Sequence, residues 1–208
     1  VDTIKTLSPI KLPSAEIIKK ALRIYQQDFR KSSYTVFCLD FSDSMRGPGE
    51  RELKEAMNLL LDKKKAEQYF INFSPSDKIV VIPFSDEIKD IWKANGNNPK
   101  EIKELNSKIQ NLSPGGATDI YSPIIDALTE LENIDTDEYT PAIILMTDGA
   151  SNSGKSFTDL SSKFENAGVD IPVFSIMFGE ASETQLKEIS NLTKARIFDG
   201  RSDLIQAF

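Results

Sequence analysis

T-V-F-C-L-D-F-S-D-S, Thr35 to Ser44, joins an apolar run to a run of oxygen-bearing side chains. The first half, T-V-F-C-L (Thr35 to Leu39), reads as a parallel strand buried on both faces. The second half, D-F-S-D-S (Asp40 to Ser44), sets oxygen ligands two residues apart, so Asp40, Ser42 and Ser44 can converge as the chain leaves the strand. A second apolar run, A-I-I-L-M (Ala142 to Met146), leads in the same way into T-D-G at Thr147 to Gly149, and G-G-A-T-D at Gly115 to Asp119 adds a third such segment. In an open α/β sheet, loops that follow adjacent strands meet at the carboxyl edge, so residues about a hundred positions apart can share one site. Together the segments predict a site for one hard divalent cation. The hydroxyls of Ser42, Ser44 and Thr118 can bind it directly, and Asp40 and Asp148 supply charge directly or by holding metal-bound waters. Neutral direct ligands leave the ion's charge poorly compensated and a coordination position open, which attracts an external carboxylate.

Around these segments the apolar positions alternate between strand and helix periods. From Ser14, a candidate N-cap, Ile17, Ala21, Leu22, Ile24 and Phe29 recur at helical spacing up to Arg30. Val1 to Pro13 reads as a linker or arm, so 1–33 is taken as an N-terminal arm and helix and 34–208 as one domain. Leu53, Met57, Leu60, Leu61, Tyr69 and Phe70 predict one long amphipathic helix. Asp77 to Ser85 predicts a second buried strand, with Glu87 to Trp92 as a half-exposed edge strand hairpinned to it. Helices are predicted through Ile102, Leu105, Ile109 and Leu112, through Ile120, Ile124, Leu128 and Leu131, and through Leu160, Phe164 and Ala167, the last stopped by Gly168. A strand at Pro172 to Phe178, a helix around Leu186 and Ile189, a short strand at Arg196 to Phe198 and a terminal helix complete the chain. The alternation predicts an α/β fold: a doubly wound, mainly parallel six-stranded sheet with one antiparallel edge strand and helices on both faces.

Composition narrows the function. The chain has 32 acidic and 25 basic residues, a net charge of -7 that repels phosphate backbones and argues against a nucleic-acid partner. It has no histidine, which removes Ser-His-Asp and Cys-His catalysis and every histidine-based zinc site. The single cysteine, Cys38, lies inside the first strand as a small core residue and cannot form an intramolecular disulfide. No apolar run approaches the roughly 18 to 20 residues that cross a bilayer, so no direct membrane insertion is expected, and no signal-like segment opens the sequence. Because the chain begins at Val1, we read it as a processed product or an excised fragment, with any targeting signal or anchor outside it.

Asp40-x-Ser42-x-Ser44, the threonine of Gly116-Ala117-Thr118-Asp119 and Thr147-Asp148-Gly149 occur in this order on these elements. The arrangement resembles the metal-ion-dependent adhesion site of von Willebrand factor A domains, over roughly Thr35 to Phe208. The resemblance implies a Rossmann-like fold with a Mg²⁺ site at its upper edge, Mn²⁺ or Ca²⁺ being alternatives. By similarity, Ser42, Ser44 and Thr118 are direct ligands, Asp40 and Asp148 act largely through water, and the Asp or Glu of a protein partner fills the vacant position. It further implies adhesion or scaffolding without catalysis, in an extracellular or cell-surface setting. The helix upstream of the first strand also resembles the junction in bacterial secreted proteins that join a solute-binding-like region to such a domain, so the chain is expected to belong to a larger secreted or surface bacterial protein. An intracellular, cytoplasmic module that docks on an AAA-type ATPase or another assembly is the alternative. One departure is Asp43, where many members carry glycine. Aspartate tolerates left-handed backbone better than most residues, and its carboxylate is expected to face solvent.

A competing motif is Gly149-Ala-Ser-Asn-Ser-Gly154-Lys155-Ser156, which matches the phosphate-loop pattern G-x-x-x-x-G-K-[ST] between a strand and a helix. Nucleotide binding there leaves D-F-S-D-S and G-G-A-T-D without a role, whereas T-D-G already accounts for Gly149. Asp119 is expected to cap the helix that follows it. Asp135, Asp137 and Glu138 read as a solvated loop without the glycine and terminal glutamate of an EF-hand, and Lys63-Lys64-Lys65 as the wet face of a helix. Metal-assisted hydrolysis of phosphate esters is disfavoured, because such sites use more direct carboxylate ligands and a base.

Overall fold

Val36 and Cys38 point to one side of the first strand and Phe37 and Leu39 to the other, and all four are buried. Only a strand at the centre of a sheet covered on both faces satisfies that pattern. The computed structural model describes residues 14–25, 30–68, 73–168, 170–178 and 183–200. Its strands are β1 (Ser32–Asp40), β2 (Lys78–Phe84), β3 (Trp92–Asn95), β4 (Tyr139–Thr147), β5 (Val173–Met177) and β6 (Ile197–Asp199), in the sheet order β3-β2-β1-β4-β5-β6. All neighbours are parallel except β3, which runs antiparallel to β2 at one edge. The fold is therefore the doubly wound, Rossmann-like α/β architecture expected from the sequence.

The helices divide between the two faces. On one, α2 (Pro48–Leu61) and α4 (Pro99–Asn111) bury Leu53, Met57, Leu60, Leu105 and Ile109 against Phe37, Leu39, Ile79 and Val81. On the other, α5 (Tyr121–Leu131), α6 (Phe157–Asn166) and α7 (Glu183–Thr193) bury Ile124, Leu128, Leu160, Leu186 and Ile189 against Val36, Cys38, Val80 and Ile82. The two cores hold β1 and β4 from both sides, which fixes where their carboxyl ends emerge. The chain divides into two compact units, Val1–Arg30 and Lys31–Phe208. In the first, α1 (Ala15–Ile24) is capped by Ser14, whose Oγ accepts the Ile17 N–H.

Two elements differ from the sequence expectation. The single helix from Leu53 to Phe70 is broken at Asp62, whose backbone leaves the helical region at φ -87°, ψ 105°. Its carboxylate accepts the N–H groups of Lys64 at 2.9 Å and Lys65 at 3.2 Å, so it starts a second helix, α3 (Lys63–Gln68), where Lys63, Lys64 and Lys65 are exposed. The edge strand begins at Trp92 rather than at Glu87, and before it Ile88 makes an isolated bridge to Phe84. Pro83 is the cause. Its carbonyl accepts the Lys89 N–H on the β3 side, but its ring nitrogen has no proton to return, so the regular ladder ends at the Val81–Trp92 pair. The expected arm at Val1 to Pro13, the helical positions Phe29, Tyr69 and Phe70, and the expected terminal helix lie outside the described residues.

Candidate metal centre

β1 and β4 are neighbours in register, Leu39 beside Met146, so Asp40 and Thr147 leave the sheet side by side. Thr147 Oγ1 donates to Asp40 Oδ2 at 2.5 Å across 107 positions of sequence. Asp40 Oδ1 accepts the Ser42 N–H at 2.8 Å, which turns the chain into a short 3-10 segment, Asp43–Met45. Phe41 and Met45 are fully buried and pin this turn from beneath. Ser42 Oγ and Ser44 Oγ then lie 3.0 Å apart, and Ser44 Oγ donates to Asp148 Oδ1 at 2.8 Å. Thr118 joins from the connection between α4 and α5. A Cβ placed on Gly149 would stand 3.2 Å from Ser44 Oγ and 3.4 Å from Thr118 Oγ1, so the two hydroxyls border one small space that a side chain here would crowd. Asp40, Ser42, Ser44, Thr118 and Asp148 thus meet at the carboxyl edge of the sheet.

The electrostatics of this edge are unusual for an interior. Asp40 is fully buried and Asp148 is partly buried. Burial pushes the Asp40 carboxyl above its ordinary range. Hydrogen bonds from Thr147 and Ser42 pull it back, and the negative charge of Asp148 raises it further. Burial likewise raises Asp148, against the bond from Ser44. Among the described residues no group of three Asp, Glu, His or Cys side chains is placed to hold a metal ion. A cation at this edge would therefore depend on the hydroxyls, which with the two carboxylates make an all-oxygen donor set.

Asp43 turns outward, as expected. Its carboxylate pairs with Arg46 at 2.8 Å with both side chains largely exposed, and Arg46 Nη2 also donates to the Pro114 carbonyl at 2.9 Å. The Arg46 guanidinium holds the Asp43 carboxyl below its usual range, so the extra negative charge at the rim is countered on the spot.

Asp119 caps α5, accepting the N–H groups of Tyr121 and Ser122 at 3.1 Å and the Ser122 hydroxyl at 2.6 Å. It has a second role that its sequence context does not signal. Asp119 Oδ2 also accepts the Lys155 N–H at 3.2 Å, tying down the loop after β4. That loop is the one with the phosphate-loop pattern, and the N–H groups of Ser151, Asn152, Ser153 and Lys155 in it are already engaged. Ser151 donates to Gln185 Oε1 at 2.8 Å, and Asn152 and Ser153 donate to the Thr118 carbonyl at 2.9 Å and 3.2 Å. A phosphate cradle needs those donors aimed at the ligand, and this loop spends them on protein acceptors, one of them a carboxylate. Thr147, the buried partner of Asp40, also escapes sequence reasoning; its only signal is its place in T-D-G. Because Asp119 is 3% exposed and holds four donors, Asp119→Ala is expected to destabilise the domain by about 3 kcal/mol. A lowered urea midpoint at unchanged m-value would show it.

The family profile of the von Willebrand factor type A domain matches residues 35–204. Inter-alpha-trypsin inhibitor heavy chain H6 from Homo sapiens is 29% identical over 168 residues, which is 74% of this chain and 12% of that protein. A von Willebrand factor type A structure from Catenulispora acidiphila superposes with a TM-score of 0.68 at 15% identity, covering 85% of this chain and 41% of that one. The pilus adhesin SpaC from Lactobacillus rhamnosus GG gives a TM-score of 0.64 at 14% identity, over 88% of this chain and 30% of the adhesin. The two structural likenesses show a shared fold, and in each case the chain spans less than half of the protein it matches. With the profile running from the first buried strand past the last, the chain belongs to the von Willebrand factor type A domain family.

Proposed function

We propose that this domain binds a partner protein through a divalent cation, Mg²⁺ first, with Mn²⁺ or Ca²⁺ as alternatives. Ser42, Ser44 and Thr118 are the direct donors, and Asp40 and Asp148 supply charge. Domains of this family are commonly protein-interaction or adhesion modules. The spacing of the oxygens carries the finer reading. Adjacent oxygens around an octahedral cation with bonds of about 2.0–2.1 Å stand about 2.9 Å apart. The direct donors Ser42 Oγ and Ser44 Oγ stand 3.0 Å apart, and a 2.8 Å hydrogen bond to Asp148 Oδ1 holds Ser44 Oγ in that place. The charge fits as well, since two like-charged carboxylates withdrawn from water favour a cation between them.

Asp40 already engages both oxygens, one with the Ser42 N–H and one with Thr147, so its part is charge and orientation rather than direct ligation. When bound, the cation would supply attraction for an external carboxylate, since its direct donors are neutral hydroxyls and the two carboxylates act from behind them. An Asp or Glu of the partner is the occupant this chemistry favours. The chain has no histidine to serve as a base, in keeping with binding rather than catalysis.

We place the domain in an extracellular or cell-surface setting, within a larger secreted or surface bacterial protein; the pilus adhesin of the same fold agrees with that reading. Among the described residues no helix is long and apolar enough to cross a membrane. A signal peptide or lipoprotein cysteine in the full-length protein separates this setting from cytoplasmic docking on an AAA-type ATPase.

The test is calorimetric titration of Mg²⁺, Mn²⁺ and Ca²⁺ into chelator-treated protein, beside the Ser42→Ala and Asp148→Ala variants. Saturable one-site binding is expected, lost in both variants. Absence of binding, or binding that both substitutions leave intact, would reduce the function to metal-independent protein interaction.

A further inference from the structure

We propose that Asn152 and Gln185 are positioning residues of the metal centre, setting its affinity for the cation without touching it. The inference rests on the cation site proposed above. Thr118 has no strand leading into it. It follows Gly115-Gly116-Ala117, with Gly116 at φ +92°, a run with little stiffness of its own. Its neighbours are tied to the ends of β1 and β2, Gly115 N–H donating to the Phe41 carbonyl at 2.9 Å, the Gly116 carbonyl accepting the Asp43 N–H at 3.0 Å and Asp119 N–H donating to the Ser85 carbonyl at 2.8 Å, while the N–H and carbonyl of Thr118 itself are held by the loop after β4.

The Thr118 N–H donates to Asn152 Oδ1 at 3.0 Å, while the Thr118 carbonyl accepts the Asn152 N–H at 2.9 Å. One asparagine therefore serves both backbone groups of Thr118, using its side-chain amide and its own peptide as a neighbouring strand would. Ser151 Oγ reinforces the clamp, donating to the Thr118 carbonyl at 3.4 Å and accepting the Ile120 N–H at 3.3 Å.

Gln185 repeats the device one step further out. From the first turn of α7, its Oε1 accepts the Ser151 N–H at 2.8 Å and its Nε2 donates to the Ser151 carbonyl at 3.2 Å. α7 is itself anchored in the core by Leu186 and Ile189. A continuous chain of paired amides thus runs from α7 through Ser151 and Asn152 to Thr118, beginning three positions after Asp148. This gives the phosphate-loop pattern a role: its donors and its asparagine grip a threonine of the site in place of a phosphate.

Groups that orient metal ligands from behind change metal affinity by roughly 10–100-fold when removed. Asn152→Ala is accordingly expected to weaken Mg²⁺ binding by about tenfold, and Gln185→Ala by less, since it acts through one more residue. Ser156→Ala is the control. It removes the capping box of α6 at the far end of the same loop, lowering stability while leaving Mg²⁺ affinity unchanged.

The experiment is Mg²⁺ calorimetry on the wild type and these variants, with amide hydrogen exchange at Thr118 measured in chelator. Weaker binding together with faster Thr118 exchange in Asn152→Ala, and neither change in Ser156→Ala, is the expected result. If the wild type binds Mg²⁺ and Asn152→Ala binds it equally tightly, this inference is overturned while the cation site stands. If the wild type takes up no Mg²⁺, both fall together, and Thr118 exchange still reports whether the clamp holds.

Discussion

Asp40→Asn is expected to abolish cation binding and yet leave the chelated domain more stable than the wild type. The carboxylate is fully buried, and burial is the largest influence on it, disfavouring its charged form. Asparagine has nearly the same shape. Its Oδ1 can still accept the Ser42 N–H, and its amide nitrogen can donate to Thr147 Oγ1, whose hydroxyl accepts where it formerly gave. Removing the buried charge while both contacts persist is worth about 1–2 kcal/mol, a gain of the kind found where a site has been kept for function rather than stability. In a domain of this size that raises the melting temperature in chelator by a few degrees, about 2–4 °C per kcal/mol. With saturating Mg²⁺ the order reverses, because ligand binding stabilises only the chain that still binds, by RT ln(1 + [L]/Kd). Melting curves of both proteins with chelator and with Mg²⁺ are expected to cross in this way. An Asn variant that melts below the wild type in chelator would make Asp40 a structural residue and remove the argument that its charge awaits a cation.

Gly154→Ala is expected to cost about 3–5 kcal/mol, from two sources that can be separated. Gly154 has φ +73°, where a Cβ costs roughly 1–2 kcal/mol by itself. That Cβ would also drive into the Asp119 carboxylate, which cannot swing aside because it is buried and holds the N–H groups of Tyr121 and Ser122. The substitution must therefore push the loop away from Asp119 or break the cap of α5. The urea midpoint gives the total, and the Gly154→Ala, Asp119→Ala double variant gives the partition. With the carboxylate gone the collision disappears, so the two losses are expected to sum to clearly less than their separate values. Strict additivity would mean that the loop relaxes freely and that Asp119 does not brace it.

The frame of this domain was legible because β1 and β4 are apolar on both faces, and only a helix-covered parallel sheet accepts such strands. Asp40 and Asp148 were legible for the same reason, since they sit where adjacent parallel strands end. Ser42 and Ser44 were read with the period of an extended chain, whereas the folded chain brings them together through the Asp40 turn and a 3-10 segment, and Thr118 was legible from its G-G-A-T-D segment and not from a strand. What escaped reading depended on single hydrogen bonds. One capping carboxylate, Asp62, splits a stretch whose apolar spacing continues unbroken through it. One missing proton, on Pro83, ends a hairpin ladder that alternation alone would extend. The clamp of Asn152 and Gln185 on Thr118 and Ser151 joins residues 34 positions apart through polar side chains that follow no period. The phosphate-loop pattern was readable as letters, but the destination of its N–H groups is a property of the folded chain.

The reach of the Thr147 to Asp40 bond, 107 positions, has a kinetic meaning. A chain emerging from the ribosome presents Asp40, Ser42 and Ser44 long before Asp148 and Gln185 exist, so the half-made product offers a cation no complete nest. Closing distant parallel strands is the slow part of assembling such a topology, and contacts completed after that barrier retard unfolding without hastening folding. An ion held by all three loops would therefore act as a latch on the finished sheet. Since rupture under load follows the unfolding rate, a tethered domain of this design would resist pulling best when its ion is seated.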